Sequence, residues 1–376
     1  RNQILLPRPN PYGILVSQTN GYNLDPDKAV QLVQDLGAAY ARINVNNGDW
    51  YDDDKRQKFL DEYNTYTKST PSIGILLNVL WVTGVPGPEP FPGATAEYKS
   101  IINDLIDTLT SPDYLKPALL VVENEENNVQ FHLIESTADQ DKFLEMLSYV
   151  VEEGHRNNLK VCNGAITNLG VILSTWDYFL SVKKDTVRAT TFINNSFPAE
   201  SIPFLSNSFY TEKKERALYY LNAYRNIPMD YMNIHWYEPA KLIDWYKEYP
   251  VTGVDTAHMS RGSLEEVFAF FSDSTVVGGK DLICNEAGQI TPSDDIVSEL
   301  TCALQGMPFV VWYSGDRDEF QSVRPYRQWG LHSNYATGAT PFLIRPNGIL
   351  FRDNIKSINQ SPFIFCPEFP PLSDKH

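Results

Sequence analysis

The chain has 376 residues, of which 42% are hydrophobic and 21% are charged, and its formal net charge is −16 at pH 7. This length suits one large domain or two ordinary ones. An acidic chain without a basic cluster repels nucleic acid, and no apolar run reaches the roughly 18 residues that a membrane span needs. We therefore expect neither nucleic-acid binding nor a membrane span, and the sequence predicts no oligomeric state.

Eight short β-branched or aliphatic runs recur along the chain, with helical periodicity between most of them. The predicted strands cover residues 11–18, 38–46, 72–79, 117–124, 159–166, 230–237, 281–287 and 308–314. Near-continuous apolar strands that alternate with helices are typical of a parallel sheet covered on both faces.

The segments between the strands carry helix signals of their own. Asp25 is a predicted cap, Pro26 suits the first helical position, and Gly37 suits the end of the same helix. Spacing of apolar residues predicts helices over 98–109 and, more loosely, 143–151. Further helices are predicted at about 263–272 and 292–305, and the acidic run 51–54 is predicted to start a helix.

Eight β-then-α units predict a (β/α)8 barrel, which needs roughly 250 residues and tolerates insertions. We predict a single catalytic domain, residues 1–376, with its barrel core at about 11–316. The connection 168–228 is long enough for two helices and a loop, and residues 317–376 are predicted to be a C-terminal extension packed on the barrel. The alternative is a doubly wound open sheet, although residues 16–26 offer only one glycine for its phosphate-binding turn.

Four cysteines, Cys162, Cys284, Cys302 and Cys366, lie far apart with no CxxC pair. This spacing predicts neither a zinc site nor a dense disulfide framework, and we expect all four to be free thiols. The first residue is Arg1 instead of Met, from which we expect that a secretion signal has been removed and that the protein is secreted or periplasmic.

Polar and aromatic residues stand at the ends of most predicted strands, where the active site of such a barrel lies. In chain order they are Arg42, Asn44, Asn46, Asn78, Trp81, Glu123, Asn124, Glu125, Asn163, His235, Trp236, Tyr237, Asn285, Glu286, Trp312 and Tyr313. The fourth and seventh strands lie across a barrel from one another, so their glutamates are candidates for the acid pair of a retaining glycosidase. Aromatic faces and short amides are suited to sugar rings and their hydroxyls.

Other barrel chemistries are less well supported by the sequence. The six histidines form neither HxH nor HExxH, which does not favour a metal site. Lys160 is the only lysine in a predicted strand and stands near its start, at the wrong end for Schiff-base chemistry. The sequence therefore predicts no metal and no cofactor.

The strand ends resemble those of clan A glycoside hydrolases, which are retaining glycosidases with a (β/α)8 barrel. The resemblance covers about residues 11–316 and places the chain near family 5 or family 39. It is carried by Asn124-Glu125 on the fourth strand, His235-Trp236-Tyr237 on the sixth, Glu286 on the seventh and Trp312 on the eighth. Proline follows the acid/base in many members, and this chain has Glu126 there.

The resemblance implies a role for each matching residue. Glu125 would be the general acid/base and Glu286 the nucleophile, while Asn124 would bind the 2-hydroxyl of the sugar. Arg42 and Tyr237 would support the nucleophile, His235 would line the site, and Trp312 would floor the subsite of the sugar that is cleaved. Further substrate-binding candidates are Asn78, Trp81, Asn163 and Trp236.

The functional hypothesis is a retaining glycoside hydrolase that cleaves β-glycosidic bonds in an oligo- or polysaccharide by double displacement. The alternatives are a carbohydrate-binding barrel without turnover and a barrel enzyme for a non-sugar substrate. Strand alternation puts Glu123 and Glu125 on one face and Glu126 on the other. We expect Glu123 to be an ion-pair partner.

Overall fold

Eight parallel strands form a closed barrel in chain order in the computed structural model. The structure describes residues 9–16, 25–197, 202–237, 261–289, 294–316, 330–333 and 342–360. The predicted (β/α)8 barrel is confirmed, and the open doubly wound alternative is wrong because the first strand pairs with the eighth.

All eight predicted strands are present. They are Tyr12–Leu15 (β1), Tyr40–Asn46 (β2), Gly74–Leu80 (β3), Leu119–Val122 (β4), Val161–Asn163 (β5), Tyr231–Tyr237 (β6), Asp281–Gly288 (β7) and Val310–Trp312 (β8). Predicted residues 17–18 lie outside the described residues.

Helices follow the strands. The α-helices of the described residues are Pro26–Asp35 (α1), Asn47–Tyr51 (α2), Asp53–Thr67 (α3), Ala96–Thr110 (α4), Thr137–Arg156 (α5), Asn168–Asp177 (α6), Thr186–Ser196 (α7), Ser208–Tyr224 (α8), Arg261–Ser272 (α9), Ser274–Val277 (α10), Asp294–Ala303 (α11) and Pro346–Gln360 (α12). No described helix has the length and apolar character of a membrane span.

Helix α1 shows how the local sequence sets an element's ends. The Asp25 side chain accepts a hydrogen bond from the Asp27 amide, and Pro26 stands in the first turn, where its missing N–H is not needed. The chain leaves through Gly37 at φ 69°, a conformation that favours glycine. The predicted start and end of this helix are confirmed.

The connection from β5 to β6 is enlarged, as predicted, but it contains more helix than expected. Helices α6, α7 and α8 are joined by a π-helical turn, Tyr178–Val182, and a 3-10 turn, Ile202–Phe204. The prediction of two helices is wrong because α7 is a third helix in this connection, with Asp185 as its cap, and its largely polar residues give only a weak helix signal.

The described residues group into two compact units, whose boundaries fall within β2, α3, β3 and β7. The first unit takes its residues from Arg1–Ile43, Leu60–Leu76 and Cys284–His376, and the second from Asn44–Phe59 and Leu77–Ile283. The single catalytic domain stays a prediction.

The core of the first unit includes the only described helix of the C-terminal extension. Phe351 of α12 lies edge-on to Tyr12 of β1 and Trp312 of β8, with ring centroids 6.0 Å and 5.4 Å away. Asn354 of α12 also donates to the Ser298 hydroxyl of α11. The described part of the extension therefore packs on barrel elements of its own unit, while residues 317–329, 334–341 and 361–376 lie outside the described residues.

The cysteines differ from the expectation of four free thiols. Cys162 and Cys284 are buried thiols outside any disulfide bond, whereas Cys302 of α11 is disulfide-bonded. The prediction is wrong for Cys302 because spacing along the chain does not report spatial proximity, and a disulfide needs only that two Cα atoms come within about 7 Å. Cys366 lies outside the described residues.

Candidate active site

The three glutamates after β4 enter three different environments. The strand ends at Val122, and Glu123 and Glu125 then adopt left-handed backbone conformations with φ of 69° and 51°. Such conformations cost about 1–3 kcal/mol each for residues other than glycine. They also end the strand alternation from which Glu123 and Glu126 were predicted to lie on opposite faces. Both side chains are in fact buried.

Glu125 is held on both carboxylate oxygens and remains partly exposed. Oε1 lies 2.9 Å from Nδ1 of His235 on β6, and Oε2 accepts from Nδ2 of Asn128 at 2.7 Å. The Glu125 amide donates to the carbonyl oxygen of Gly164, after β5. The side chain is 13% exposed, against 1% for His235, so Glu125 is both fixed and reachable from outside.

Glu123 is buried against the protein backbone. Its Oε1 accepts from the Trp81 amide at 2.8 Å, and its carbonyl oxygen accepts from Nδ2 of Asn78 at 2.9 Å. Burial raises the pKa of Glu123 to about 8, with further upward contributions from Glu126 and Glu89, against the lowering effect of the Trp81 amide. The predicted ion pair is wrong because the carboxyl group meets a backbone N–H instead of a cation.

Glu126 occupies the position where many clan A members have proline, and it is fully buried. Its Oε1 accepts from Nδ2 of Asn163 at 2.8 Å and from the hydroxyl of Tyr224 on α8. Asn163 also exchanges two hydrogen bonds with the backbone of Asn233 on β6. The described contacts of Asn163 are thus with the protein itself, and its role in substrate binding stays a prediction.

His132 also supports this segment, although the sequence analysis did not select it. Its Nε2 lies 2.8 Å from the carbonyl oxygen of Asn124, so this nitrogen carries the proton and donates it. The ring stacks on Phe91 with centroids 4.5 Å apart, and burial lowers its pKa to about 4. A single histidine in a turn has no sequence signal that would mark it, because its partner is a backbone atom.

Arg42 and Glu286 form a second cluster, in the first unit. Nη1 of Arg42 donates to Oε2 of Glu286 at 2.8 Å and to the carbonyl oxygen of Asn285 at 3.0 Å. The Arg42 side chain is 3% exposed and that of Glu286 14%. The pairing of β7 with β8 shifts register between Cys284 and Ala287, and such a bulge re-aims the side chains within it.

The aromatic candidates differ in their surroundings. Trp312 is buried, its ring contacts Phe351 of α12, and its Nε1 has no hydrogen-bond partner within the described ranges. Trp236 is buried, and alternation along β6 places it on the face opposite His235 and Tyr237. The ring of Trp81, half-buried, lies 6.0 Å from that of Tyr98. The assigned roles of these tryptophans in substrate binding stay predictions.

Each unit thus brings together part of the predicted set. In the second unit the segment that contains Glu125 contacts His235, Asn163, Asn78 and the backbone of Trp81. In the first unit Glu286 contacts Arg42. Asn124 contributes its carbonyl oxygen to His132, and Tyr237 lies half-buried at the end of β6.

Comparison with known proteins supports the architecture. No model of a known protein family matches the sequence, and no curated protein matches it at a significant level. A family 39 glycoside hydrolase from Bacteroides cellulosilyticus WH2 superposes with a TM-score of 0.53 at 15% identity, covering 94% of this chain and 64% of that chain. This chain therefore spans less than two thirds of the length of that protein.

Two further solved structures have similar agreement. A family 1 β-glucosidase from Thermotoga maritima gives a TM-score of 0.56 at 11% identity, covering 93% of this chain and 98% of that chain. A monomeric β-xylosidase from Caulobacter crescentus CB15 gives a TM-score of 0.54 at 13% identity, covering 92% of this chain and 68% of that chain. At these identities the likeness is one of fold, and at that level the resemblance to clan A glycoside hydrolases is confirmed.

Proposed function

We propose that the protein is a retaining glycoside hydrolase that cleaves β-glycosidic bonds by double displacement, with Glu286 as nucleophile and Glu125 as general acid/base. The observation that carries the proposal is the contrast between the two carboxyl groups. Glu286 is paired with a buried arginine, whereas Glu125 is held by His235 and Asn128. Solved glycosidases of the same fold support it.

The contacts match the two roles that this reaction needs. Arg42 places a positive charge beside one oxygen of Glu286, and the ionised carboxylate is the form that attacks the anomeric carbon. Glu125 donates its proton to the leaving oxygen and later removes a proton from water, so its oxygens must be held in place through both steps. Bonds from two other side chains fix both of them.

The proposed substrate is an oligo- or polysaccharide with β-linked sugars, bound in part by the amide and aromatic residues at the strand ends. The test is incubation with a panel of β-linked glycans and aryl β-glycosides, with new reducing ends as the readout. Glu286→Gln should abolish turnover while leaving the fold intact. Glu266→Gln, which alters a partly exposed pair with Arg188, is the matched control and should keep full activity.

The stereochemistry of the first product tests the mechanism independently of rate. Proton NMR during hydrolysis should show the β-anomer first, as double displacement requires. An α-anomer as first product would contradict the proposal. Binding of glycans without new reducing ends would instead favour the non-catalytic barrel, and the absence of both would favour a non-sugar substrate.

We also propose that the protein acts in an oxidising compartment, as a secreted or periplasmic protein does. The disulfide bond of Cys302 supports this proposal, because such bonds persist where thiols are not kept reduced.

A further inference from the structure

Glu126 poses a question that the proposed reaction does not answer. It follows the acid/base directly, yet its side chain is completely buried and cannot meet substrate. Its Oε2 atom has no hydrogen-bond partner among the residues that the structure describes. A buried carboxylate oxygen without a partner is costly, so its presence calls for a function beyond packing.

The contacts of Glu126 lead towards His235. Asn163 donates to Oε1 of Glu126 and bonds the backbone of Asn233, two residues before His235 on the same face of β6. His235 is in turn 2.9 Å from Oε1 of Glu125. One buried acid and one buried amide thereby join the segment after β4 to β5 and β6.

Glu126 also interacts electrostatically with His235. Burial raises the pKa of Glu126 to about 7, the bonds from Tyr224 and Asn163 lower it, and attraction to His235 lowers it further. Interaction between two charges is mutual, so an ionised Glu126 favours the protonated imidazole.

Three of the other titratable groups around Glu126, namely Tyr220, Tyr224 and Glu123, are kept neutral near pH 7 by burial. The surrounding groups are Tyr220 and Tyr224 on α8, His235 on β6, and Glu123 and Glu125 in its own segment. Burial, followed by the charge of Glu126, raises the pKa of both tyrosines well above their ordinary value, so both stay neutral. Glu123 keeps its proton up to about pH 8. The pair of His235 and Glu125 is therefore what an ionised Glu126 acts on.

We propose that Glu126 is a positioning residue that strengthens the hold of the His235–Glu125 pair on its shared proton. The inference rests on the proposed role of Glu125 as acid/base. A negative charge beside a coupled pair makes the pair keep its proton to higher pH, whichever of the two groups carries it. Glu126 would thus widen the pH range in which Glu125 can donate to the leaving group.

The decisive variant is Glu126→Gln, because glutamine keeps the size of the side chain and can still accept from Tyr224 and Asn163. The readout is the pH profile of kcat/KM, measured with an aryl β-glycoside. Loss of the negative charge should move the alkaline limb of this profile by about one pH unit to lower pH. The imidazole signal of His235 is followed by NMR and is identified by its absence from the spectrum of His235→Asn. This signal should also titrate at lower pH in Glu126→Gln than in the wild type. An unmoved limb together with an unmoved His235 titration would overturn the proposal, even if the variant is less stable.

Two further variants separate charge from structure. Glu123→Gln changes an equally buried acid of the same segment that accepts from the Trp81 amide and not from Asn163, which bonds β6, so the limb should stay where it is. Tyr224→Phe removes one bond that favours ionised Glu126, so a smaller shift in the same direction as that of Glu126→Gln is expected. A limb that moves as far in Glu123→Gln as in Glu126→Gln would contradict a specific role for Glu126.

Failure of the proposal can be distinguished from failure of the proposed function. If the wild-type protein hydrolyses no glycoside, the proposed function is wrong, yet the NMR titration of His235 in the two proteins still decides whether Glu126 acts on it. If Glu126→Gln does not fold, as judged by circular dichroism, the comparison is made with Tyr224→Phe, where an unmoved titration of His235 overturns the proposal.

Discussion

At the scale of single residues, the buried pair of Arg42 and Glu286 makes a direct prediction about stability. Replacing Arg42 by Met leaves a mostly buried carboxylate without its cation, which should lower the free energy of unfolding by about 3 kcal/mol. The double variant Arg42→Met, Glu286→Gln should recover part of that loss, because no charge is then left unpaired. Both are measured by urea unfolding.

The control for this prediction is Arg156→Met on α5. Arg156 is 59% exposed and pairs with Glu152 and Glu153 on its own helix, so its loss should cost less than about 1 kcal/mol. Equal losses in Arg42→Met and Arg156→Met would show that the buried pair contributes no more than a surface pair.

Glu123 makes a prediction about pH. Its pKa rises from an ordinary 4.5 to about 8 on folding, so between these values the folded chain binds a proton that the unfolded chain lacks. The stability from this group is complete below pH 4.5 and is lost as the pH rises through about 8, at roughly 1.4 kcal/mol per pH unit. In Glu123→Gln the part of the decline in the free energy of unfolding that Glu123 causes should vanish.

The measurement is urea unfolding across that pH range for wild type, Glu123→Gln and the exposed control Glu152→Gln. Glu126 and Glu62, whose pKa values burial raises to about 7, are retained in all three proteins, so the difference between the curves isolates Glu123. Parallel curves for wild type and Glu123→Gln would contradict the prediction.

Candidate residues were predictable where they follow an apolar run. Glu125 and Glu286 were selected because each follows such a run and because the pair matches the resemblance to clan A glycoside hydrolases, and their catalytic roles stay predictions. The bond between Glu126 and Tyr224 joins residues 98 positions apart, and nothing in the sequence near either residue indicates it. The ion pair expected for Glu123 failed for the same reason, since its partner is the backbone amide of Trp81, the residue that follows β3.

At the scale of elements, the approach of β5 to the segment after β4 depends on one glycine. A Cβ atom on Gly164 would lie 2.6 Å from the carbonyl oxygen of Val122 and 2.7 Å from the carbonyl carbon of Glu123. Because both are backbone atoms, Gly164→Ala should displace the segment that carries Glu125, lowering stability by about 1–3 kcal/mol and lowering kcat/KM.

Gly84→Ala is the matched control for this prediction. Gly84 has φ +75 but nothing within 4 Å of an added Cβ, so the alanine strains the backbone without touching a neighbour. Stability should fall by about 1 kcal/mol with activity unchanged. Thermal unfolding and measurement of kcat/KM on both variants test the prediction. Full activity in Gly164→Ala would show that the close approach does not position Glu125.

Elements were predicted well where hydrophobic pattern and caps agree. Apolar runs located all eight strands, and α4 buries the residues that its spacing predicted, namely Tyr98, Ile101, Ile102, Leu105, Ile106 and Leu109. Prediction failed for α7, whose residues 186–196 are largely polar and seven of whose eleven residues are exposed. The left-handed turns after β4 were also unpredictable, because glutamate rarely adopts them.

At the scale of the whole molecule, the cysteines give a test of the covalent structure and of the proposed compartment. Cys162 and Cys284 are buried thiols, whereas Cys302 is disulfide-bonded. Thiol titration of the denatured protein should therefore find more reactive thiols after reduction than before it. Native protein should react slowly in both cases, and equal counts in the denatured samples would contradict the bond.

Closure of the barrel was predictable from the number of β-then-α units, because eight such units need no free edge. The packing of the C-terminal extension on the barrel was also predicted, but its contact residues were not, since residues 317–376 show no strand or repeat that would mark them. Only the structure shows that Phe351 reaches Tyr12 and Trp312.

That contact has a consequence for how the chain folds during synthesis. β1 pairs with β8 in the register Tyr12 to Val310, and Phe351 covers the same seam. While the ribosome is still translating the middle of the chain, β8 has not yet been synthesised. The edge of β1 that pairs with β8 is therefore still unpaired. We expect nascent chains truncated before β8 to be bound by chaperones and cleaved by proteases, and the synthesis of β8 and α12 to let this seam close.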